Sequence, residues 1–216
     1  MPGKIIILRH GEKANPFALC SIGVRRSLAL VKKYLGQGAE ESLFEGGEPP
    51  NAFFAITLHT IELASPAAQS WNLPVIAYSA VPINNSATGD SPDVLNVRTQ
   101  KAAADALDLA RAGRTVVMVW EHKRIASKDL EAQYPHAVTL RQHLNLSKFD
   151  DDPKNRVPGK WEGENYNFFW VITFGADGQP AGFEMKKQEF GGDFGDLPQN
   201  DWGEAAPALP GSDCES

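Results

Sequence analysis

The chain is poor in cysteine, in positive charge and in long apolar runs, and each shortage closes off a class of protein. Its 216 residues include two cysteines, Cys20 and Cys214, too few for a disulfide framework and without the paired spacing of a zinc site. Cys20 reads as a small apolar filler near a helix start, and Cys214 falls in the tail. Lys and Arg number 21 against 27 Asp and Glu, a formal net charge of -6. That balance argues against the clustered positive charge needed to bind nucleic acid or a membrane surface. No run approaches the roughly 18 apolar residues of a spanning helix, and the N-terminus lacks the pattern of a signal peptide. A soluble, cytoplasmic protein is expected, and the sequence carries neither an internal repeat nor a long low-complexity segment.

What is present points to one α/β domain. Apolar runs at 4–8, 52–58, 73–78, 115–120 and 168–174 read as strands, and the turn Gly175-Ala176-Asp177-Gly178 leads into a hairpin partner at 182–185. Between them lie helical patterns. One is capped at Ser21, carries Leu28, Val31 and Leu35 on its apolar stripe, and stops at Gly36. A second covers 61–71, with Pro66 near its first turn or at a kink. The third and strongest, 92–112, starts on a proline and closes at Gly113. Residues 81–90 and 150–164 read as loops, and 125–144 as helical in parts. Strands alternating with helices predict a mostly parallel central sheet flanked by helices on both faces. Residues 1–190 form the expected domain, and 191–216, rich in Gly, Asp and Pro, an irregular or partly disordered tail.

The chemistry lies at the strand ends. Ile5-Ile6-Ile7-Leu8 lacks polar alternation, as suits a strand buried on both faces, and ligands bind at the carboxyl ends of such strands. Arg9, His10 and Gly11 follow at that end. An imidazole attacks electrophiles, a guanidinium grips phosphate with two prongs, and glycine lets backbone amides approach an anion. The second apolar run ends on His59-Thr60 and the fourth on Glu121-His122. Taken alone, Arg9-His10-Gly11 reads equally well as a solvated turn. Repeated histidines at strand ends favour phosphoryl transfer through histidine.

An apolar strand ending Arg9-His10-Gly11, the helix entry Leu19-x-x-x-Gly23-x-x-Arg26 and a later strand ending in His122 together resemble the histidine phosphatase superfamily, which includes the phosphoglycerate mutase-like proteins. The likeness covers 4–122 in order and spacing, and 161–188 more loosely. It implies a phosphoglycerate mutase-like fold, His10 as the nucleophile that becomes phosphorylated, His122 as a flanking, charge-stabilising ring, and Arg9 as the first phosphate donor. The family's second arginine, in a Ser-Pro-x-x-Arg arrangement after the second strand, has no counterpart in Thr57-Leu58-His59-Thr60-Ile61-Glu62-Leu63. Arg98, near the start of the long helix where amides and dipole favour an anion, is the expected replacement, with His59 a further phosphate contact.

Protonating a leaving oxygen calls for a carboxylic acid with a raised pKa. Glu121 and Glu12 are the nearest, although neighbours on a strand point to opposite faces, which sets Glu121 against His122. Gly11, Glu12 and Lys13 lie just past the strand end, in reach of substrate or on the rim. Trp161, in the long loop, is the aromatic residue best suited to line a pocket, whereas Trp120, Phe168, Phe169 and Trp170 read as core. His136 and His143 read as surface or packing residues. Arg9 beside the histidines would repel a cation, so neither a metal nor another cofactor is expected.

The expected activity is phosphomonoester hydrolysis through a phosphohistidine, on a small phosphorylated substrate and with no nucleic-acid or membrane partner. A non-catalytic protein that binds a phosphate ligand on the same fold is the alternative. Phosphoglycerate mutase-type transfer fits less well, because the chain lacks the long insert that closes over a sugar-acid substrate.

Overall fold

The computed structural model describes residues 2–79, 92–175 and 177–215. The expected loop at 81–90 and Ala176 of the late turn lie outside them. Strands β1 (Gly3–Arg9), β4 (Ala52–Ala55), β5 (Val75–Ala77), β6 (Thr115–Trp120), β7 (Phe168–Phe174) and β8 (Pro180–Lys187) form one six-stranded sheet in the order β5-β4-β6-β1-β7-β8. The first four run parallel, and β7 and β8 are added antiparallel. A two-stranded hairpin, β2 (Lys13–Asn15) with β3 (Ala18–Leu19), follows the first strand end. The mostly parallel sheet predicted from the alternation of elements is therefore present.

Successive side chains on a strand point to opposite faces, and both faces here are apolar. Ile6, Leu8, Phe53, Val117 and Val119 pack under α1 (Ser21–Leu30) and α2 (Leu58–Ser70). Ile5, Ile7, Phe54, Met118 and Trp120 pack under α3 (Pro92–Arg111), whose Ala102, Ala103, Ala106 and Ala110 allow close approach, and under the short helices α4 (His122–Ile125) and α6 (Leu140–His143). A four-residue helix, α5 (Lys128–Glu131), lies between those two in sequence. Among the described residues no helix is long and apolar enough to cross a membrane.

Several expectations need correction. Leu28 is exposed, and the buried stripe of α1 runs through Arg26, Ala29 and Leu30 into Tyr34 and Leu35 of a π-helical turn, Val31–Leu35. The second helix starts at Leu58 rather than at 61, because Thr57 and Thr60 form a capping box that satisfies the first free amides. Trp161 is fully buried in an aromatic cluster with Trp170 and Trp202, its Nε1–H donating to Asn165 O at 2.9 Å. It belongs to the core on the helix-α3 face of the sheet.

The cysteines are also joined. Cys20 and Cys214 form a disulfide across 194 positions, a pairing that sequence distance hides. Disulfides persist in oxidising surroundings and are rare in the cytosol, so this bond pulls against the cytoplasmic expectation. The tail it pins is irregular, with one short 3-10 helix at Gly192–Phe194 among the described residues, yet it is tied down. Asp213 accepts from the amide and hydroxyl of Ser21, and Glu215 N donates to Lys13 O.

Candidate active site

Three adjacent interior strands, β4, β6 and β1, deliver the polar cluster to the carboxyl end of the parallel part of the sheet. Arg9 pairs with Trp120 across β1 and β6, and His10 N donates to Trp120 O at 3.1 Å. This register sets His10 beside Glu121. The β6 strand stops at Trp120 and Glu121 opens the turn of α4, so strand alternation no longer applies and Glu121 faces the site. Beyond β4, the start of α2 brings in His59. The His10 ring lies 4.9 Å from His59 and 5.8 Å from His122, between centroids.

The hydrogen bonds fix the His10 tautomer. Arg9 Nη2 lies 3.1 Å from His10 Nε2, and a guanidinium only donates, so Nε2 carries no proton. The remaining proton sits on Nδ1, which donates to Gly11 O at 2.8 Å. Burial first, then the charge of Arg9, hold His10 well below the usual imidazole pKa. A neutral ring with a bare Nε2 is the form that attacks an electrophile.

Arg9 is 2 % exposed. Its Nη1 donates to Glu162 O at 3.3 Å and to Gly163 O, and the Tyr166 ring stacks on the guanidinium, its centroid 3.9 Å from Cζ. Arg9 Nε is buried with no partner. No carboxylate lies within ion-pair distance of Arg9 among the described residues. Burial lowers its pKa, while Tyr166 and Glu121 act against that. The result is a buried cation with one edge of its fork, Nε and Nη2, turned to the side of His10 Nε2.

Glu121 and His59 form the second unit. His59 Nδ1–H donates to Pro16 O at 3.0 Å, and its Nε2 lies 2.6 Å from Glu121 Oε1, so a proton lies between Nε2 and Oε1. Thr57 Oγ1 donates to the same oxygen. The other oxygen, Oε2, is 3.6 Å from His10 Nε2. Burial alone would raise the Glu121 pKa, but His10, the hydrogen bond and charge of His59, and Lys13 outweigh it and hold the carboxyl below its ordinary range. The raised pKa expected of a lone general acid is absent in this resting state, and the proton belongs to the His59–Glu121 couple.

His122 also differs from expectation. Burial, then Arg9, lowers its pKa to about 3, so the resting ring is neutral rather than a cation, and its Nδ1 is buried without a partner.

Two expected substrate contacts are elsewhere. Glu12 is buried in a two-pronged ion pair with Arg26, Oε1 to Nη2 at 2.5 Å and Oε2 to Nε at 2.9 Å, and Arg26 also donates to Pro198 O. A carboxylate so occupied braces the loop after His10 against α1. Gly23 is required there, since a Cβ would sit 2.2 Å from Glu12 O. Arg98 is exposed on α3, with no hydrogen bond or ion pair to the cluster among the described residues. Gly11 serves through its carbonyl on His10, and a Cβ there would press on Leu63 and Gly23 at 3.2 and 3.3 Å.

Sequence reasoning missed Tyr166 and the carbonyls of Glu162 and Gly163, which arrive from the irregular segment before β7 and carry no motif. Lys13 is half-buried on β2, and its charge bears on both Glu121 and His122.

Ligand atoms of His10, Glu121 and His122 lie within 4.8 Å of one another, the spacing of a possible metal set. The Arg9 guanidinium already faces His10 Nε2 at 3.1 Å, and a second cation there would be repelled. The donor set suits an anion.

Neither family models nor curated proteins give a match to this chain. Among solved structures, one titled "Mycobacterial hydrolase 1" superposes with a TM-score of 0.45 at 11% identity, over 87% of this chain and 98% of that one.

Proposed function

We propose that the chain is a phosphomonoester hydrolase of the histidine phosphatase superfamily, acting through a phosphohistidine at His10. The observation that carries this reading is the buried Arg9 guanidinium, without a carboxylate partner among the described residues and with its buried Nε unpaired, set against the unprotonated Nε2 of His10. A phosphoryl group bound there supplies the missing counter-charge to Arg9 while its phosphorus faces the nucleophile.

In the first step His10 Nε2 forms a bond to phosphorus as the ester P–O bond breaks. The leaving oxygen takes the proton held between His59 and Glu121, and the Nδ1–H bond to Gly11 O stabilises the positive charge left on the ring. Arg9 and His122 donate to the phosphoryl oxygens, where charge is spread in the transition state. In the second step water attacks phosphorus, its proton passes to the Glu121–His59 couple, the P–N bond breaks and inorganic phosphate leaves. The arriving anion raises the pKa of both Glu121 and His122 by its own charge, which equips each for its part.

Wild-type protein should release phenol from a generic aryl phosphate and yield a phosphoenzyme that survives an alkaline quench and is lost in acid, as a P–N bond requires, and His10→Ala should do neither. Equal release by both proteins would sink the reading. The expected second arginine, Arg98, is not among the contacts of the cluster, which favours one alternative, a phosphate-binding protein that does not turn over. Phosphate or vanadate binding by the wild type with no trapped phosphoenzyme would establish it.

A further inference from the structure

Residues 162–167 approach the site from the irregular side of the molecule, and Tyr166 has no place in the chemistry above. Arg9 Cζ lies over the Tyr166 ring, 3.9 Å from the centroid, and the ring is edge-on to His10, with centroids 5.9 Å apart. The residues on either side anchor it. Asn165 and Asn167 are both fully buried. Asn165 Nδ2 donates to Asp201 O, Gly203 N donates to Asn165 Oδ1 at 2.8 Å, and Asn167 Nδ2 donates to Asn200 O at 3.0 Å. The backbone of Tyr166 is thus locked to the tail on both sides, while its ring is half-exposed and its hydroxyl makes no hydrogen bond among the described residues.

We propose that Tyr166 is a positioning residue: its ring, stacked on one face of the Arg9 guanidinium, fixes the plane of the fork so that Nε and Nη2 meet a phosphoryl group lined up with His10 Nε2. The proposal rests on the phosphoryl-transfer reading for its purpose but not for its geometry. Arg98 does not join Arg9 at the cluster, so the Arg9 fork depends on its own surroundings for its orientation. The two carbonyls fix Nη1, and at rest Nη2 is held by His10 Nε2 at 3.1 Å; once Nε2 turns to phosphorus that second hold is lost and the guanidinium is free to turn. A flat ring against its face removes that freedom, and a cation over a π face is itself favoured. The role belongs to the ring and not to the hydroxyl.

The test compares Tyr166→Phe and Tyr166→Leu with wild type, using inorganic phosphate and orthovanadate as probes and the Arg9 Nε–H signal in nitrogen-proton correlation spectra as a direct report on stacking. Wild type and Tyr166→Phe should share a ring-shifted Arg9 signal and bind phosphate within about twofold of each other. Tyr166→Leu should lose the shift and bind phosphate about tenfold more weakly, with KM for the aryl phosphate raised and kcat lowered. Should Tyr166→Leu not fold, Tyr166→Met, similar in bulk but without a π face, serves in its place. An unchanged Arg9 signal and unchanged phosphate affinity in the folded aliphatic variant would overturn the proposal, as would equal losses in Tyr166→Phe. Signal and affinity are read without turnover, so a hydrolytically inert wild type would defeat the hydrolase reading and leave this result standing.

Discussion

Arg9 and Arg26 are two buried arginines close in sequence, 2 % and 1 % exposed, and they differ in what faces them. Arg26 meets the carboxylate of Glu12 with two prongs and a carbonyl from the tail. Its charge is matched by another within the fold. Arg9 meets two carbonyls, a neutral imidazole and an aromatic face. No carboxylate among the described residues matches its charge, and the proposed function has a phosphoryl group do so. Burial is equal in the two cases, so burial alone does not mark a functional arginine. The identity of the partner does.

The strongest way to break this comparison is to truncate each arginine. Arg26→Ala strands Glu12 as a buried unpaired anion and should cost about 3–5 kcal/mol in urea unfolding. Replacing both partners, Arg26→Met with Glu12→Leu, should recover most of that loss, since an apolar pair of similar volume avoids the desolvation penalty. Arg9→Ala removes a buried cation that has no carboxylate, and should change stability far less while lowering kcat/KM for an aryl phosphate by about a hundredfold to a thousandfold. If Arg9→Ala unfolds the protein as badly as Arg26→Ala and leaves the folded fraction active, the distinction fails.

The two arginine environments were unequally legible in the sequence. Arg9, His10, Glu121 and His122 could be picked out because each follows a strand whose apolar run is unbroken, and the parallel register brings such ends together. His59 was visible for the same reason, although its helix begins three residues earlier than periodicity indicated. The motif that singled out Glu12 as a substrate contact could not show that Arg26, fourteen positions on, turns back to claim it. Arg98 looked suitable because helix starts favour anions, but the buried stripe of α3 runs through Asn96, Thr99 and Ala103, which leaves Arg98 outside. Least legible were Tyr166 and the Cys20–Cys214 bond. Both depend on where an irregular chain lies, and irregular chain has no period to read.

Acid should separate the two environments next. His122 has its pKa lowered to about 3, and His10 is held well below its ordinary value, burial being the first cause for both. The unfolded chain takes up these protons near pH 6.5 and the folded chain resists. The stability they contribute is fully present above pH 6.5 and is lost as pH falls from there towards 3, by an amount on the order of a few kcal/mol. His122→Asn, which has no such proton to refuse, should flatten the curve of unfolding free energy against pH in that window. A wild-type curve already flat between pH 6.5 and 4 would show that these rings are not kept neutral by the fold.

The smallest effect concerns how far the environment of Arg9 extends. Lys13 carries the nearest cation on the hairpin side, has no ion pair among the described residues, and acts electrostatically on Glu121 and His122 together. A half-exposed ammonium is screened by water, so Lys13→Ala should raise KM or the phosphate Kd only about threefold, with kcat nearly unchanged. Lys13→Glu, which reverses the charge, should raise it about tenfold, and both differences should shrink as salt is added. Arg9 is buried and in the proposed function meets the phosphoryl group at contact distance, so the defect of Arg9→Ala should persist in high salt. A Lys13 effect that resists salt would mean that its ammonium touches the phosphoryl group directly. The Arg9 fork would then have a second cation as its counterpart, supplied from β2 rather than from the start of α2.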